Sequence, residues 1–165
     1  MSRDSRTLKI GGYILDFLDI ERIFSYIGVD NIKFGMSPEE VASIWGAADR
    51  IRTNFFNEPV EFRNGISTTY SHEKKLVEIG IPKECTNVKL NDIPIFLPPK
   101  KDRLAQLLML DSSAWEDVGM IAFKNLGISI TGFEDPDDSD VAMSVFSRGR
   151  WDADFETMAQ YRPKI

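Results

Sequence analysis

The segment GMSPEEVASIWG, from Gly35 to Gly46, decides the local fold more clearly than any other stretch of this 165-residue chain. Ser37 is a suitable helix N-cap, Pro38 takes the first helical position, and Glu40 follows the cap by three residues, which completes a capping box. The final glycine is expected to end or kink the helix. Apolar side chains recur at helical spacing and predict one buried face, at Val41, Ile44, Trp45 and Ala48.

Short segments of alternating character follow this helix and predict an antiparallel meander of three or four strands. Turn signals separate the segments at Asn57–Pro59, at Asn64-Gly65 and at Ser71–Lys74, and Asn-Gly is the strongest short hairpin signal. Each segment places three side chains on one face, in the sets Ile51, Thr53, Phe55, then Ile66, Thr68, Tyr70, then Val77, Ile79, Ile81.

The second half of the chain repeats this pattern. FRNGIST at 62–68 returns as FKNLGISI at 123–130, with the Gly-Ile pair 62 residues later (127 − 65). Apolar positions match upstream at an offset of 63 and downstream at an offset of 64. Matches in one order with a small drift are typical of a duplicated unit, although any two helix-then-strands segments share some likeness. We predict tandem repeats at about 32–82 and 93–146.

The remaining predicted elements complete the second repeat and flank the pair. A strand-like NVKLNDIPIFL precedes a helix over about 100–110, whose buried face holds Leu104, Leu107 and Leu108. The strands of the second repeat are predicted at 119–124, 127–133 and 140–147. One helix or two short ones are predicted at 13–27, on the spacing of Ile20, Ile23, Phe24 and Ile27 before Gly28. A C-terminal helix is predicted at 152–161, on Phe155, Met158 and Ala159.

These elements predict an α+β fold in one domain, residues 1–165. Two tandem helix-plus-antiparallel-meander repeats would share one core, because each half-sheet alone would expose an apolar face. N- and C-terminal helices would flank them.

Composition restricts the function classes. The chain has 20 basic and 26 acidic residues and a formal charge of −6, which disfavours a nucleic-acid partner and favours a basic protein. A single cysteine excludes an intrachain disulfide, and neither a secretory signal nor a membrane span is recognisable. We therefore expect a cytoplasmic location and no membrane association.

Few residues suggest chemistry. His72 is the sole histidine and lies in a polar turn, while Cys85 has no second thiol. Metal sites need clustered His or Cys, and phosphate-binding loops need glycine spacing that is absent here. We expect no catalytic residue, no metal site and no cofactor, and hence no enzyme activity.

The acidic run EDPDDSD, Glu134 to Asp140, holds five carboxylates. An EF-hand counted from Asp135 fails, since its sixth position is Asp140 and its twelfth is Phe146. Three interpretations stay open: a solvated hairpin loop, an adventitious divalent site, or a negative surface that meets a basic partner. The candidate partner-binding residues are Trp115 (expected to be exposed in a polar loop), Phe133, Glu134, Asp135, Asp137, Asp138 and Asp140; the segment around Arg148, Arg150 and Trp151 is a further candidate.

The pattern from Gly35 to Gly46, followed by a meander and then repeated, resembles the helix-plus-sheet unit of outer-membrane assembly lipoproteins. Two such units in tandem resemble the β-lactamase-inhibitor-protein fold. The chain lacks a lipoprotein signal and a cysteine pair. As a small, acidic, cysteine-poor protein it is more similar to immunity proteins of bacterial toxin systems, such as contact-dependent growth inhibition.

That resemblance implies a non-enzymatic binding module that blocks a basic toxin domain, with a nuclease as one candidate. The alternatives are a small-ligand-binding protein or enzyme that uses the cleft between the two repeats, and a structural subunit of a larger bacterial assembly.

Overall fold

The structure is a computed structural model that describes residues 5–10 and 13–163, with side chains described from residue 19 onward. Within these residues the fold is α+β and rich in strands, with three helices.

The elements before the chain midpoint are β1 (Ser5–Ile10), β2 (Tyr13–Leu18), β3 (Arg22–Phe24), β4 (Gly28–Val29), β5 (Ile32–Lys33), α1 (Pro38–Trp45), β6 (Arg50–Thr53), β7 (Pro59–Arg63), β8 (Ile66–Tyr70) and β9 (Leu76–Pro82). The elements after it are β10 (Lys89–Leu90), β11 (Ile93–Pro94), α2 (Lys100–Leu110), β12 (Ala114–Asp117), β13 (Met120–Phe123), β14 (Ile128–Thr131), β15 (Ala142–Phe146), α3 (Asp152–Thr157) and β16 (Ala159–Gln160).

A nine-stranded antiparallel sheet dominates the molecule, in the order β16-β12-β13-β14-β15-β9-β8-β7-β6. It consists of the meander β6–β9, the meander β12–β15 and the edge strand β16. The two meanders meet where β9 pairs with β15 and Ile79 lies opposite Val145. A five-stranded sheet, β11-β10-β3-β4-β5, is antiparallel except for the parallel pair β3–β10. The hairpin β1–β2 forms a separate two-stranded sheet.

The predicted N-terminal helix over 13–27 is wrong, because strands β2 and β3 and the start of the β4 hairpin occupy this segment. The Asp30 carboxylate accepts hydrogen bonds from the backbone N–H groups of Glu21 and Arg22, and β3 pairs with β10. These partners satisfy backbone groups that a helix would have bonded internally. Ile23 is buried while its neighbour Phe24 is 43% exposed, which is the alternation of a strand.

Helices α1 and α2 agree with the sequence-based predictions, and α3 agrees in part. Ser37 caps α1, both hydrogen bonds of the capping box to Glu40 are present, and Gly46 ends the helix at φ 84°. Helix α2 has the predicted bounds, with Leu104 and Leu107 buried. The C-terminal helix α3 is shorter than predicted, because the chain leaves it to pair β16 with β12.

Residues 32–82 and 93–146 contain the same elements in the same order, a short strand, a helix and a four-stranded meander. One cluster of buried side chains contains Val41 and Trp45 of α1, Leu107 of α2, and apolar residues of both meanders. Descent of the two segments from one duplicated unit stays a prediction.

Candidate functional site

The acidic loop, residues 134–140, connects β14 to β15 and is exposed along its whole length. The Lys100 ammonium donates a hydrogen bond to the Asp137 carbonyl at 2.5 Å and lies 3.0 Å from the Asp138 carboxylate. The Lys83 ammonium donates to the Asp138 carbonyl at 2.6 Å. Two lysines therefore bind backbone carbonyls of the loop, while its acidic side chains are exposed to solvent.

Hydrogen bonds also hold two of the loop's carboxylates, those of Asp137 and Glu134. Ser139 donates to the Asp137 carboxylate through its hydroxyl at 2.7 Å and its N–H at 3.1 Å, and these hydrogen bonds lower the pKa of Asp137. Glu134 accepts a hydrogen bond from the Tyr161 hydroxyl at 2.9 Å. Burial, followed by that hydrogen bond, raises the pKa of Tyr161 to about 12, so the tyrosine stays a neutral donor.

The structure does not support Phe133 as an exposed anchor. Phe133 is 3% exposed and its ring lies 6.5 Å from that of Phe96, so it belongs to the core beneath the loop.

The prediction that Trp115 lies in a polar loop is also wrong. Trp115 lies on β12, paired with Gln160 of β16, and packs against a cluster that contains Phe146 and Phe155. Phe133 belongs to the other apolar cluster. The structure therefore does not bring the two predicted aromatic anchors together with the acidic loop in one surface.

A second candidate surface is a cleft of about 670 Å³, here termed the aromatic cleft. It lies between the β6–β7 loop, the β12–β13 hairpin and the segment around α3, and its lining includes Phe55, Phe56, Glu58, Asp117, Arg150 and Trp151.

The β6–β7 loop holds two aromatic rings in solvent. Phe55 is 96% exposed and Phe56 is 67% exposed, with their centroids 5.6 Å apart and their planes at 89°. The Asn54 side-chain oxygen accepts hydrogen bonds from the N–H groups of Phe56 at 2.9 Å and Glu58 at 3.0 Å. These bonds order the loop, so the exposed rings are held in one place.

An ion pair ties this loop to the C-terminal segment. Arg150 donates to the two Glu58 carboxylate oxygens at 2.7 and 2.8 Å, and Glu58 is 5% exposed. These hydrogen bonds lower the pKa of Glu58 and raise the pKa of Arg150. Beside them the Trp151 indole N–H donates to Glu78 at 2.6 Å. The least exposed charged groups of the cleft are thus paired with one another.

The β12–β13 turn borders the cleft on its other side. Val118, which follows Asp117, is 99% exposed and has φ 42°. A β-branched residue at positive φ is a backbone outlier, and such outliers are maintained at the expense of stability.

His72 and Cys85 occupy different parts of the molecule. His72 is exposed, with Nε2 3.1 Å from the Phe56 carbonyl oxygen. Cys85 is 5% exposed in the main core, and burial raises the pKa of its thiol to about 12. A buried, protonated thiol is a poor nucleophile. In the described part of the chain, no three His, Cys, Asp or Glu side chains are grouped so that they could hold a metal ion.

Comparisons with protein-family models, with curated proteins and with solved structures give no match for this chain. The resemblance to immunity proteins and to the β-lactamase-inhibitor-protein fold therefore stays a prediction. Across residues 5–10 and 13–163, no helix combines the length and apolar character needed to cross a membrane.

Sequence reasoning missed the aromatic cleft. The adjacent aromatic residues Phe55 and Phe56 directly before the Asn57–Pro59 turn were a usable signal, because turn residues lie on the surface. The partnership of Glu58 with Arg150, 92 residues apart, had no sequence signal.

Proposed function

We propose that this chain is a non-enzymatic protein-binding module, and that it acts as a cytoplasmic immunity protein against a basic bacterial toxin domain. The observation that carries the proposal is the acidic loop, which is exposed and is ordered from below by Lys83 and Lys100.

The charge of the loop favours a basic partner. Five carboxylates and two lysines leave a net charge of −3 around residues 134–140, on a chain whose formal charge is −6. Clustered like charges repel one another, and a cationic surface relieves that repulsion on contact. Attraction between complementary surfaces also accelerates association, which an immunity protein requires.

Order in the loop lowers the cost of binding. Each lysine donates to a backbone carbonyl, and all five acidic side chains stay exposed, so the carboxylates are accessible to arginine or lysine side chains of the partner. A loop that is already ordered loses little conformational entropy on association.

The experiment pairs the chain with the toxin domain encoded in the adjacent reading frame of its genome. We expect co-expression to rescue growth and the purified proteins to bind. Changing Asp135, Asp137, Asp138 and Asp140 to Asn should slow association by about ten-fold at low salt, with a deficit that shrinks as salt rises.

The matched control changes four exposed carboxylates elsewhere to amides, at Glu73, Glu84, Asp92 and Asp102. Both variants move the formal charge from −6 to −2 (four charges removed), so only the position of the charge differs. Equal association rates for the two variants would contradict a role for the acidic loop. Failure of the wild-type chain to bind or protect would contradict the immunity function itself.

The alternative is a small-ligand-binding protein or enzyme that uses a cleft between the two halves. The presence of the aromatic cleft favours this alternative, but the pairing of its charged groups does not. Its least exposed polar groups, Glu58 and Arg150, are satisfied by each other rather than directed at a ligand. A binding module therefore remains the better-supported function.

We also propose that the two halves descend from one duplicated unit with a shared core. Supporting this, each half has an aspartate after its helix that accepts the N–H of an asparagine in the second hairpin. Asp49 accepts from Asn64 at 2.7 Å, and Asp111 accepts from Asn125 at 2.9 Å. Superposition of residues 32–82 on 93–146 tests the proposal, since the helix and at least three strands should align in one order.

A further inference from the structure

The aromatic cleft has features that the acidic loop does not explain. We propose that it binds a basic segment of another protein, with a Lys or Arg side chain among its carboxylates and an apolar side chain against Phe55 and Phe56. This proposal rests on the lining of the cleft and does not depend on the acidic loop.

The apolar contribution comes from rings that the fold leaves uncovered. Phe55 and Phe56 are 96% and 67% exposed on a loop ordered by Asn54 and by the Glu58–Arg150 ion pair. Large aromatic side chains are enriched at binding hot spots because their burial removes much apolar surface from water. Since the loop is already ordered, a partner gains this burial without the cost of ordering it.

The charge of the lining selects the partner. Four carboxylates, Glu58, Glu78, Asp117 and Asp154, face one guanidinium, Arg150, and leave a net charge of −3. Asp117 and Asp154 are exposed, and neither has a cationic partner among the described residues. A Lys or Arg side chain would neutralise them, and the faces of two phenylalanine rings also attract cations. An acidic segment would be repelled.

The β12–β13 hairpin adds a second apolar contact at the opposite border. Met120 lines the cleft together with Asp117, its partner in the hairpin. Both borders of the cleft therefore present apolar side chains next to carboxylates. The matching partner is a segment in which apolar and basic residues alternate or adjoin.

The experiment selects peptides from a phage-displayed library of random 12-residue sequences on the immobilised wild-type chain. We expect enriched peptides to combine Lys or Arg with aromatic or large aliphatic residues. A synthetic copy of the most enriched peptide should shift the indole N–H signal of Trp151, which lines the cleft, in the ¹H–¹⁵N NMR spectrum.

Variants then locate the site. The pair Phe55→Ser and Phe56→Ser should weaken the peptide's affinity by about ten-fold or more, as expected of hot-spot residues. The pair Asp117→Asn and Asp154→Asn should weaken it by about five-fold at low salt and less at high salt. Each variant should keep the wild-type thermal midpoint, because all four side chains are exposed.

Two controls separate the cleft from other surfaces. Met109→Ser removes an 87% exposed apolar side chain at the end of α2 and should leave peptide affinity unchanged. The pair Asp135→Asn and Asp137→Asn in the acidic loop should also leave it unchanged, so this test is independent of the proposed immunity function.

The proposal would be overturned if no peptide were enriched, or if the enriched peptides lacked basic residues. It would also be overturned if the Phe55→Ser and Phe56→Ser double variant bound the peptide as tightly as the wild-type chain does. Concentration-dependent dimerisation of the wild-type chain that this variant abolishes would instead make a second copy the occupant of the cleft.

Discussion

The first meander buries a charged network at positions where the second buries apolar side chains. Arg63 pairs with Ile66 in the first, and Phe123 pairs with Ile128 in the second. Arg63 is 1% exposed and donates to the Gly46 carbonyl at 2.9 Å and to Glu61 at 3.1 Å. Within one apolar core, the same strand pairing therefore accommodates a charged side chain in the first meander and an aromatic side chain in the second.

The two kinds of buried side chain contribute to stability in different ways. In the second meander Ile121, Phe123 and Ile130 are all buried, and burial of such surface stabilises without requiring a specific partner. In the first meander Arg63 ties β7 to the end of α1. A buried charge contributes little net stability but makes its partners indispensable, because a lone buried charge is costly.

The largest expected effect tests that distinction. Arg63→Ala should lower the free energy of unfolding by about 3–5 kcal/mol, because it removes a buried side chain and leaves the half-buried Glu61 without its cation. Urea denaturation followed by tryptophan fluorescence measures the change.

A variant that copies the apolar interior of the second meander provides the control. The triple change Glu61→Leu, Arg63→Met and Tyr70→Phe removes the charges and the hydroxyl that bonds Glu61 at 3.0 Å. We expect it to be more stable than Arg63→Ala alone. If it were less stable, the network would contribute net stability and the comparison would fail.

The next prediction contrasts the two aspartates that follow the helices. Asp111 is 3% exposed and also accepts from the Asn125 amide at 3.0 Å and from the Ser113 N–H at 2.9 Å. Asp111→Ala should lower the free energy of unfolding by about 2–3 kcal/mol, because it removes the three hydrogen bonds that this buried carboxylate accepts.

The equivalent Asp49 is exposed, so Asp49→Ala should cost about 1 kcal/mol or less. Denaturation midpoints of the two variants measure the difference. Equal losses would show that burial does not distinguish these two contacts.

An effect smaller than that of Asp111→Ala concerns the hairpin loops. The β6–β7 loop depends on the Glu58–Arg150 pair, whereas a two-residue turn closes β12–β13. Glu58→Gln should lower the free energy of unfolding by about 1–2 kcal/mol at pH 7, because the charge-assisted bidentate contact with Arg150 is lost.

The stabilisation by the Glu58–Arg150 pair should depend on pH. The pKa of Glu58 is lowered from its ordinary value of 4.5 in the folded state, so its stabilisation is present above that value and is lost as the pH falls through the folded pKa. The stability gap between wild type and Glu58→Gln should therefore close below pH 4.5. A constant gap from pH 7 to 3 would show that shape rather than charge holds the loop.

Local sequence signals predicted the elements that depend on neighbours in the chain. The capping box at Ser37 and the apolar face of α2 gave both helices their correct bounds, and Asn64-Gly65 gave the β7–β8 hairpin. The apolar spacing of Ile20, Ile23 and Ile27 misled, because over so few residues a helical period cannot be distinguished from buried positions in short strands.

By itself the sequence determined the acidic net charge and most elements of the two helix-then-meander segments, because caps, turns and alternation act over a few residues. Only the tertiary structure decided that β9 meets β15, that β3 pairs with β10, and that Glu58 meets Arg150. Those pairings join residues far apart in the chain, and the local sequence pattern is compatible with many alternative strand pairings. Their selection depends on which arrangement buries apolar surface and pairs buried charges at the same time.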